Sequence, residues 1–92
     1  MAPGTSNSTK ADKNSAVIPL THLKPGKKGK IAAVRGGRMV IQRLNDLGLT
    51  IGTELTIKGE APWGGPVQIL VRGSILALGR GIAAKIMVKQ IS

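Results

Sequence analysis

The stretch "RMVIQRLNDLGLTIGTELTI", residues 38–57, changes from a helical to a strand-like hydrophobic pattern within twenty positions. Val40, Leu44 and Leu47 recur at i, i+4 and i+7, which is the spacing of one apolar helical stripe. The polar residues between them cover the other side of such a helix. We therefore expect a short amphipathic α-helix over residues 38–47.

Glycines mark the end of this helix and two predicted turns elsewhere in the chain. Gly48 is placed as the left-handed residue after the helix, where Leu49 would contact Leu44 in a Schellman ending. Ile51–Gly52 is interpreted as a turn. Pro25–Gly26 fits the two central positions of a type II turn, because proline presets φ and glycine supplies a positive φ.

The remainder of the chain alternates between apolar and polar residues in short runs. Leu55 and Ile57 share one face of a strand, and Val67, Ile69 and Val71 share the inward face of another. Strands are predicted at residues 31–34, 54–60, 67–72, 74–79 and 86–91. "RGIAAK" between the last two is too short for a full helix and is interpreted as a single turn. The pattern indicates a mainly β fold, a small closed β-barrel of about five strands with one inserted short α-helix.

Length and composition limit the possible classes of protein. The chain has 92 residues, enough for one small domain. Residues 1–16 are rich in Ser, Thr, Asn and Lys and are expected to form a flexible polar tail, which leaves 17–92 as the folded domain. The absence of cysteine excludes disulfides and thiolate metal sites. Because no uncharged apolar run approaches the ~20 residues of a membrane span, we expect a soluble, cytoplasmic protein.

The charge balance favours anionic partners. The formal net charge is +10, from 14 Lys and Arg against 4 Asp and Glu. Such an excess attracts nucleic acid, the anionic inner leaflet of a membrane, or an acidic protein surface. It also serves solubility alone. The densest cluster comprises Lys24, Lys27, Lys28 and Lys30, followed by Arg35, Arg38 and Arg43.

Few residues offer chemistry. A transition-metal site would need several histidine or carboxylate ligands that converge. His22 is the single histidine, and the four carboxylates are scattered without ligand spacing, so we predict no metal site and no cofactor. A nucleophile–base pair is also missing, and neither "GGRM" nor "GRGI" has the spacing of a phosphate-binding loop. We therefore predict that the protein is not an enzyme.

Four segments resemble the ferrous iron transport protein A (FeoA) family. They are "PLTHLKPGKKGKI", "RLNDLGLTIGTELTI", "APWGGPVQILVRG" and "LALGRGIAAKIMV". Each alone is weak, but their order and spacing together are specific and cover about residues 19–90. One departure is Ile51–Gly52, where the family usually carries Pro-Gly.

The resemblance implies an SH3-like barrel with a helix inserted after the first strand. It also implies a cytoplasmic accessory of ferrous iron uptake, located at the inner face of the membrane through its partner. That implied partner is the FeoB transporter, whose cytoplasmic end is a GTP-binding domain. The role in iron uptake and the FeoB partner rest on the resemblance alone, because neither the composition nor the periodicity of the chain indicates them.

Trp63 is the single aromatic residue and stands in a loop of prolines and glycines. Its ring would cover the open end of the barrel, since no Phe or Tyr is available to do so. Alternatively, it anchors a partner, because tryptophan is enriched among interface hot spots. The two interpretations are compatible if one face of the ring stays open.

The helix supplies further candidates for partner binding. Met39 and Ile41 lie off the main stripe, and beside Arg43 they would form an apolar patch with a basic rim. The same patch would also suit self-association into a homo-oligomer.

Other candidates have a stronger structural explanation. We expect mostly core positions for Leu44, Leu47 and Leu49. They remain candidates for partner binding because they lie at the C-terminal end of the predicted helix. Arg72 and Arg80 flank the last strands, either as solvated charges or as partners for acidic groups.

We therefore expect a non-catalytic regulatory module that docks on the FeoB transporter and its GTP-binding domain, and two function classes remain as alternatives. Small basic barrels bind nucleic acid, but sequence-tolerant binding of single strands uses aromatic stacking platforms, of which this chain has one. Charge alone gives a weak, salt-sensitive interaction. The other alternative is a self-associating scaffold.

Overall fold

The computed structural model describes residues 16–60 and 65–91, which contain six strands, two α-helices and one 3-10 helix. The Trp63 loop and all but the last residue of the expected tail lie outside the described residues. The elements in chain order are β1 (Val17–Pro19), the 3-10 helix (Leu20–His22), β2 (Lys28–Val34), α1 (Arg38–Asp46), β3 (Glu54–Glu60), β4 (Val67–Val71), β5 (Ser74–Leu78), α2 (Arg80–Ala83) and β6 (Ile86–Gln90).

The strands form one antiparallel sheet in the order β1-β6-β2-β3-β4-β5. Two irregularities bend it. Between β2 and β6 the register shifts after Ile31, and between β3 and β4 it shifts after Ile57. Each extra residue increases the local twist and bends its strand. The sheet therefore curls around its apolar face in the SH3-like manner that the family resemblance implies.

Two glycine turns have the predicted geometry. At Pro25–Gly26, Gly26 has φ +86°, and the N–H of Lys27 donates to the carbonyl oxygen of Lys24 at 3.0 Å. At Ile51–Gly52, Gly52 has φ +94°, and the N–H of Thr53 donates to the carbonyl oxygen of Thr50 at 3.0 Å. These are the dihedral and the hydrogen bond of a type II turn.

The core is a single cluster of buried side chains from five strands, the 3-10 helix, both α-helices and two of the connecting segments. The alternation predicted for β3 and β4 is confirmed, because the five expected inward residues are at most 5% exposed. The buried apolar residues are Leu20, Leu23, Ile31, Leu44, Leu49, Leu55, Ile57, Val67, Ile69, Val71, Leu78, Ala83, Ile86 and Val88.

Three details differ from the sequence prediction. The described sheet has six strands rather than about five, because β1 pairs with β6 although it is only three residues long and ends in Pro19. Consequently α1 follows the second strand and not the first. Within the described residues β1 and β5 are the two edges of the sheet, so these strands do not close the barrel by pairing with each other.

The helices of this fold are short. α2 is a single turn of four residues, as interpreted from "RGIAAK". In the part of the chain that the structure describes, neither helix has the length and apolar character needed to cross a membrane.

Candidate partner-binding surface

Helix α1 places Met39 and Ile41 on opposite flanks of its buried stripe. Val40 is half-buried and Leu44 is 1% exposed, so these two define the side that packs on the core. Successive residues of an α-helix are rotated by about 100°, so residues two apart face away from each other. Met39 is 84% exposed and Ile41 is 39% exposed. The expected single patch of Met39 and Ile41 beside Arg43 is therefore divided in two.

One of these flanks forms a groove between α1 and α2. Its volume is about 390 Å³, and it combines three apolar side chains with an amide, a guanidinium and a carboxylate. The lining residues, here called the helix groove, are Met39, Val40, Gln42, Arg43, Asp46 and Ile82. An apolar floor with a polar rim is the usual anatomy of a protein interface. Methionine suits such a surface because its unbranched thioether adapts to irregular partners.

Backbone hydrogen bonds and buried leucines anchor the C-terminal end of α1. The N–H of Leu49 donates to the carbonyl oxygen of Leu44 at 2.8 Å, and the N–H of Gly48 donates to the backbone carbonyl oxygen of Asn45 at 2.9 Å. Together with φ +82° at Gly48, these bonds constitute the predicted Schellman ending. Leu44 and Leu49 are 1% and 0% exposed, so they are core residues that hold the helix in place and offer no surface to a partner.

Leu47 does not follow the prediction that placed it in the core stripe. It is 44% exposed. The helix ends at Asp46, and Leu47 is the C-cap residue with φ −86° and ψ 0°. Because the chain turns there, the helical period no longer determines which way the side chain points. Leu47 is thus an exposed leucine outside the helix groove.

Arg72 and Arg80, the two other arginines predicted to bind a partner, lie near different helix ends. Arg72 occupies the β4–β5 turn with φ +51°, and its guanidinium lies against the end of α1, where a Cβ built on Gly48 would come within 2.8 Å of a terminal nitrogen. The C-terminal carbonyl groups of a helix carry partial negative charge, which favours a cation there. Arg80 is exposed and begins α2, two residues before Ile82 of the helix groove. Neither arginine lines the groove, whereas Arg43 does.

Ile82 is the groove residue that sequence reasoning missed. It is half-buried on α2 and packs against the core. Its place opposite Met39 depends on the packing of two helices that are far apart in sequence, so no local signal identifies it. Gln42 and Asp46 were recognised only as polar residues of α1.

The remaining predicted features concern Trp63 and metal ligands. The position of Trp63 lies outside the described residues, so its role stays a prediction. Among residues 16–60 and 65–91, no three His, Cys, Asp or Glu side chains are close enough to hold a metal ion together.

Comparisons with known proteins agree on one family. The FeoA domain family matches residues 18–90. A protein of Methanocaldococcus jannaschii assigned as Fe(2+) transport protein A is 38% identical over 73 residues, which is 79% of this chain and 87% of that protein.

Two solved structures are also similar. The crystal structure of an iron uptake regulatory protein (FeoA) has a TM-score of 0.74 at 35% identity, and the match covers 82% of this chain and 97% of that one. The solution structure of the FeoA protein from Chlorobium tepidum has a TM-score of 0.75 at 32% identity, covering 82% and 71% of the two chains. Since the family match spans most of the described domain, this chain belongs to the FeoA domain family.

Proposed function

We propose that this protein is a non-catalytic accessory module of ferrous iron uptake. It docks on the cytoplasmic GTP-binding domain of a FeoB-type transporter and biases the transporter's conformational cycle. Membership of the FeoA family supports the transport role, as do the relatives named for Fe(2+) transport and iron uptake regulation. The proposal places the module in the cytoplasm, next to the inner face of the membrane.

The observation that carries the docking proposal is the helix groove. Met39 exposes 84% of its surface at the edge of a depression of about 390 Å³, which is large enough for one or two aliphatic side chains of a partner. Arg43 and Asp46 on the same helix provide opposite charges at the rim. Such polar groups orient a partner while the apolar centre provides most of the affinity.

The chemistry of the groove supports a binding role over a catalytic one. Its lining combines aliphatic, thioether, amide, guanidinium and carboxylate groups, and the chain contains neither cysteine nor a second histidine. Activation of a nucleophile requires an adjacent base, which these side chains do not supply as a pair. Docking influences a transporter without chemistry if the affinity differs between nucleotide states, because a ligand shifts an equilibrium only by its differential affinity.

An NMR titration of the isotope-labelled chain tests this function. The titrant is the transporter's GTP-binding domain, bound either to GDP or to a non-hydrolysable GTP analogue, at physiological salt. We expect localised shifts of the residues that line the helix groove, with a lower Kd in one nucleotide state. Shifts in neither state would refute docking on this domain.

A substitution identifies the docking face. Met39→Ala removes an exposed side chain from the groove and is expected to weaken binding by about tenfold, the effect of losing a moderate hot spot. The matched control is Ile51→Ala, which removes an aliphatic side chain that is 71% exposed and lies outside the groove. If both variants lose affinity equally, or neither does, the helix groove is not the docking surface.

A further inference from the structure

The pairing of β2 with β6 brings two lysines face to face. Lys30 is the direct cross-strand partner of Lys89, and the neighbouring pair is Ile31 with Val88. Since Ile31 and Val88 are buried and side chains alternate along a strand, Lys30 and Lys89 both point outward from the sheet. Like charges directly opposite each other destabilise a sheet, so packing alone does not favour this arrangement.

A third lysine and two aliphatic side chains extend this surface. Lys28 lies two residues before Lys30 and is exposed on the same side of β2. Val17, 44% exposed, pairs with Lys89 on β1. Ile91, 41% exposed, donates its N–H to the carbonyl oxygen of Lys28 at 2.8 Å. The outer side of β1, β6 and β2 thus combines three lysines with two exposed aliphatic residues, and we call it the lysine face.

Charges around the lysine face increase its positive potential. Lys24 and Lys27 are exposed in the turn that leads into β2. The carboxylate beside the lysine face is Glu54, which pairs with Lys30 from β3. The five lysines at and beside the lysine face, with Glu54 as the adjacent carboxylate, give this part of the molecule a local excess of positive charge.

We propose that the lysine face binds directly to an anionic phospholipid surface. The charges there are ammonium groups on flexible stems, which suit a fluid array of headgroups rather than bidentate recognition. Val17 and Ile91 supply aliphatic surface that reaches the boundary between headgroups and acyl chains. The lysine face and the helix groove share no residue, so membrane binding does not depend on the docking proposed above.

The aliphatic neighbours distinguish a membrane from nucleic acid. A nucleic acid would place phosphates against Val17 and Ile91, which cannot bond to them. Binding of single strands also relies on aromatic stacking, and no aromatic residue lies in the described part of the chain. An anionic bilayer, by contrast, accommodates both the ammonium groups and the aliphatic side chains.

The expected strength follows from the charge of each lysine. A basic residue near an anionic leaflet contributes a factor of about five to the partition coefficient. The double variant Lys30→Gln with Lys89→Gln is therefore expected to reduce partitioning by about 25-fold. The single variant Lys89→Gln removes the cross-strand repulsion and leaves Lys30 opposite Glu54, so we expect it to unfold at a higher urea concentration at low salt.

Co-sedimentation of the full chain with vesicles tests the proposal. The vesicles contain equal parts of phosphatidylserine and phosphatidylcholine, with pure phosphatidylcholine as the neutral reference, in salt of about 0.15 M. We expect binding to the anionic vesicles alone and its loss in the double variant. The control combines Arg38→Gln with Lys85→Gln, which removes two exposed charges outside the lysine face. This control is expected to retain most of the binding.

Three results would overturn the proposal. Equal binding to neutral and anionic vesicles would exclude charge recognition. Equal losses in the two double variants would show that net charge, and not the lysine face, is responsible. Binding of a labelled DNA or RNA duplex that depends on Lys30 and Lys89, without vesicle binding, would assign the surface to nucleic acid.

Discussion

Arg72 shows how one residue connects two distant parts of the fold. It lies in the two-residue turn between β4 and β5, where Arg72 and Gly73 both have positive φ, at +51° and +82°. This type I′ turn matches the twist of the strands, but it favours Asn-Gly because an ordinary side chain is strained there. The guanidinium meanwhile lies against Gly48 at the end of α1. An attractive helix-end contact thus offsets part of a backbone cost.

Two neutral substitutions separate these effects. Arg72→Asn and Arg72→Gln both remove the charge, but asparagine tolerates the left-handed conformation and glutamine does not. We expect the asparagine variant to be more stable than the glutamine variant by about 1 kcal/mol. Urea unfolding followed by circular dichroism measures the difference. Equal stabilities of the two variants would contradict backbone strain at this position.

Helix α1 depends on its C-terminal ending for its orientation. The Schellman hydrogen bonds bring Leu49 back beneath Leu44, and both side chains are buried. This anchoring sets the direction in which Met39 and Arg43 project from the flank of the buried stripe into the helix groove. The groove is therefore expected to depend on Gly48, although Gly48 does not line it.

Alanine substitutions at two glycines are expected to act in opposite directions. Gly48→Ala introduces a Cβ at φ +82° and displaces the Arg72 side chain, so we expect a loss of about 1–2 kcal/mol. Gly81→Ala in α2 meets no atom within 4 Å and is expected to gain about 0.5–1 kcal/mol. Urea midpoints of the two variants provide the comparison. A neutral Gly48→Ala would mean that the helix ends without needing the left-handed residue.

What the sequence predicts at the element scale depends on how local each signal is. The helix, its Schellman ending and the Pro25–Gly26 turn were predictable, because each is determined by residues within a few positions of one another. β1 was not, since three residues ending in Pro19 become a strand only through pairing with β6 at the other end of the chain. The same reason explains the candidate site: Met39 and Arg43 were identified on one helix, whereas Ile82 joins them through tertiary packing.

At the scale of the whole molecule, the net charge and an open sheet edge have opposite effects on self-association. β5 is an edge of the described sheet and contains no charged residue, and Ile75 is 54% exposed. Val71 and Ser74 flank a two-residue turn as a hydrogen-bonded pair, and hydrogen-bonded pairs alternate with non-hydrogen-bonded pairs along the two strands. The N–H and C=O groups of Ile75 and Ala77 therefore point away from β4, toward the open edge. The opposite edge, β1, is short and contains a proline, both of which discourage pairing. We expect the net charge of +10 to oppose association of copies of the molecule through the β5 edge.

Salt should therefore reveal self-association through β5. Raising the ionic strength from about 0.1 M to about 1 M shortens the Debye length from about 10 Å to about 3 Å, so the repulsion between copies is largely screened. We expect light scattering to show association at high salt and Ile75→Lys to suppress it, because a charge on an edge strand opposes strand pairing. Ile51→Lys adds the same charge at an exposed position outside the sheet and is the matched control. If Ile51→Lys suppresses association as strongly as Ile75→Lys, the effect is not specific to the β5 edge; if neither does, the copies associate through a surface other than β5.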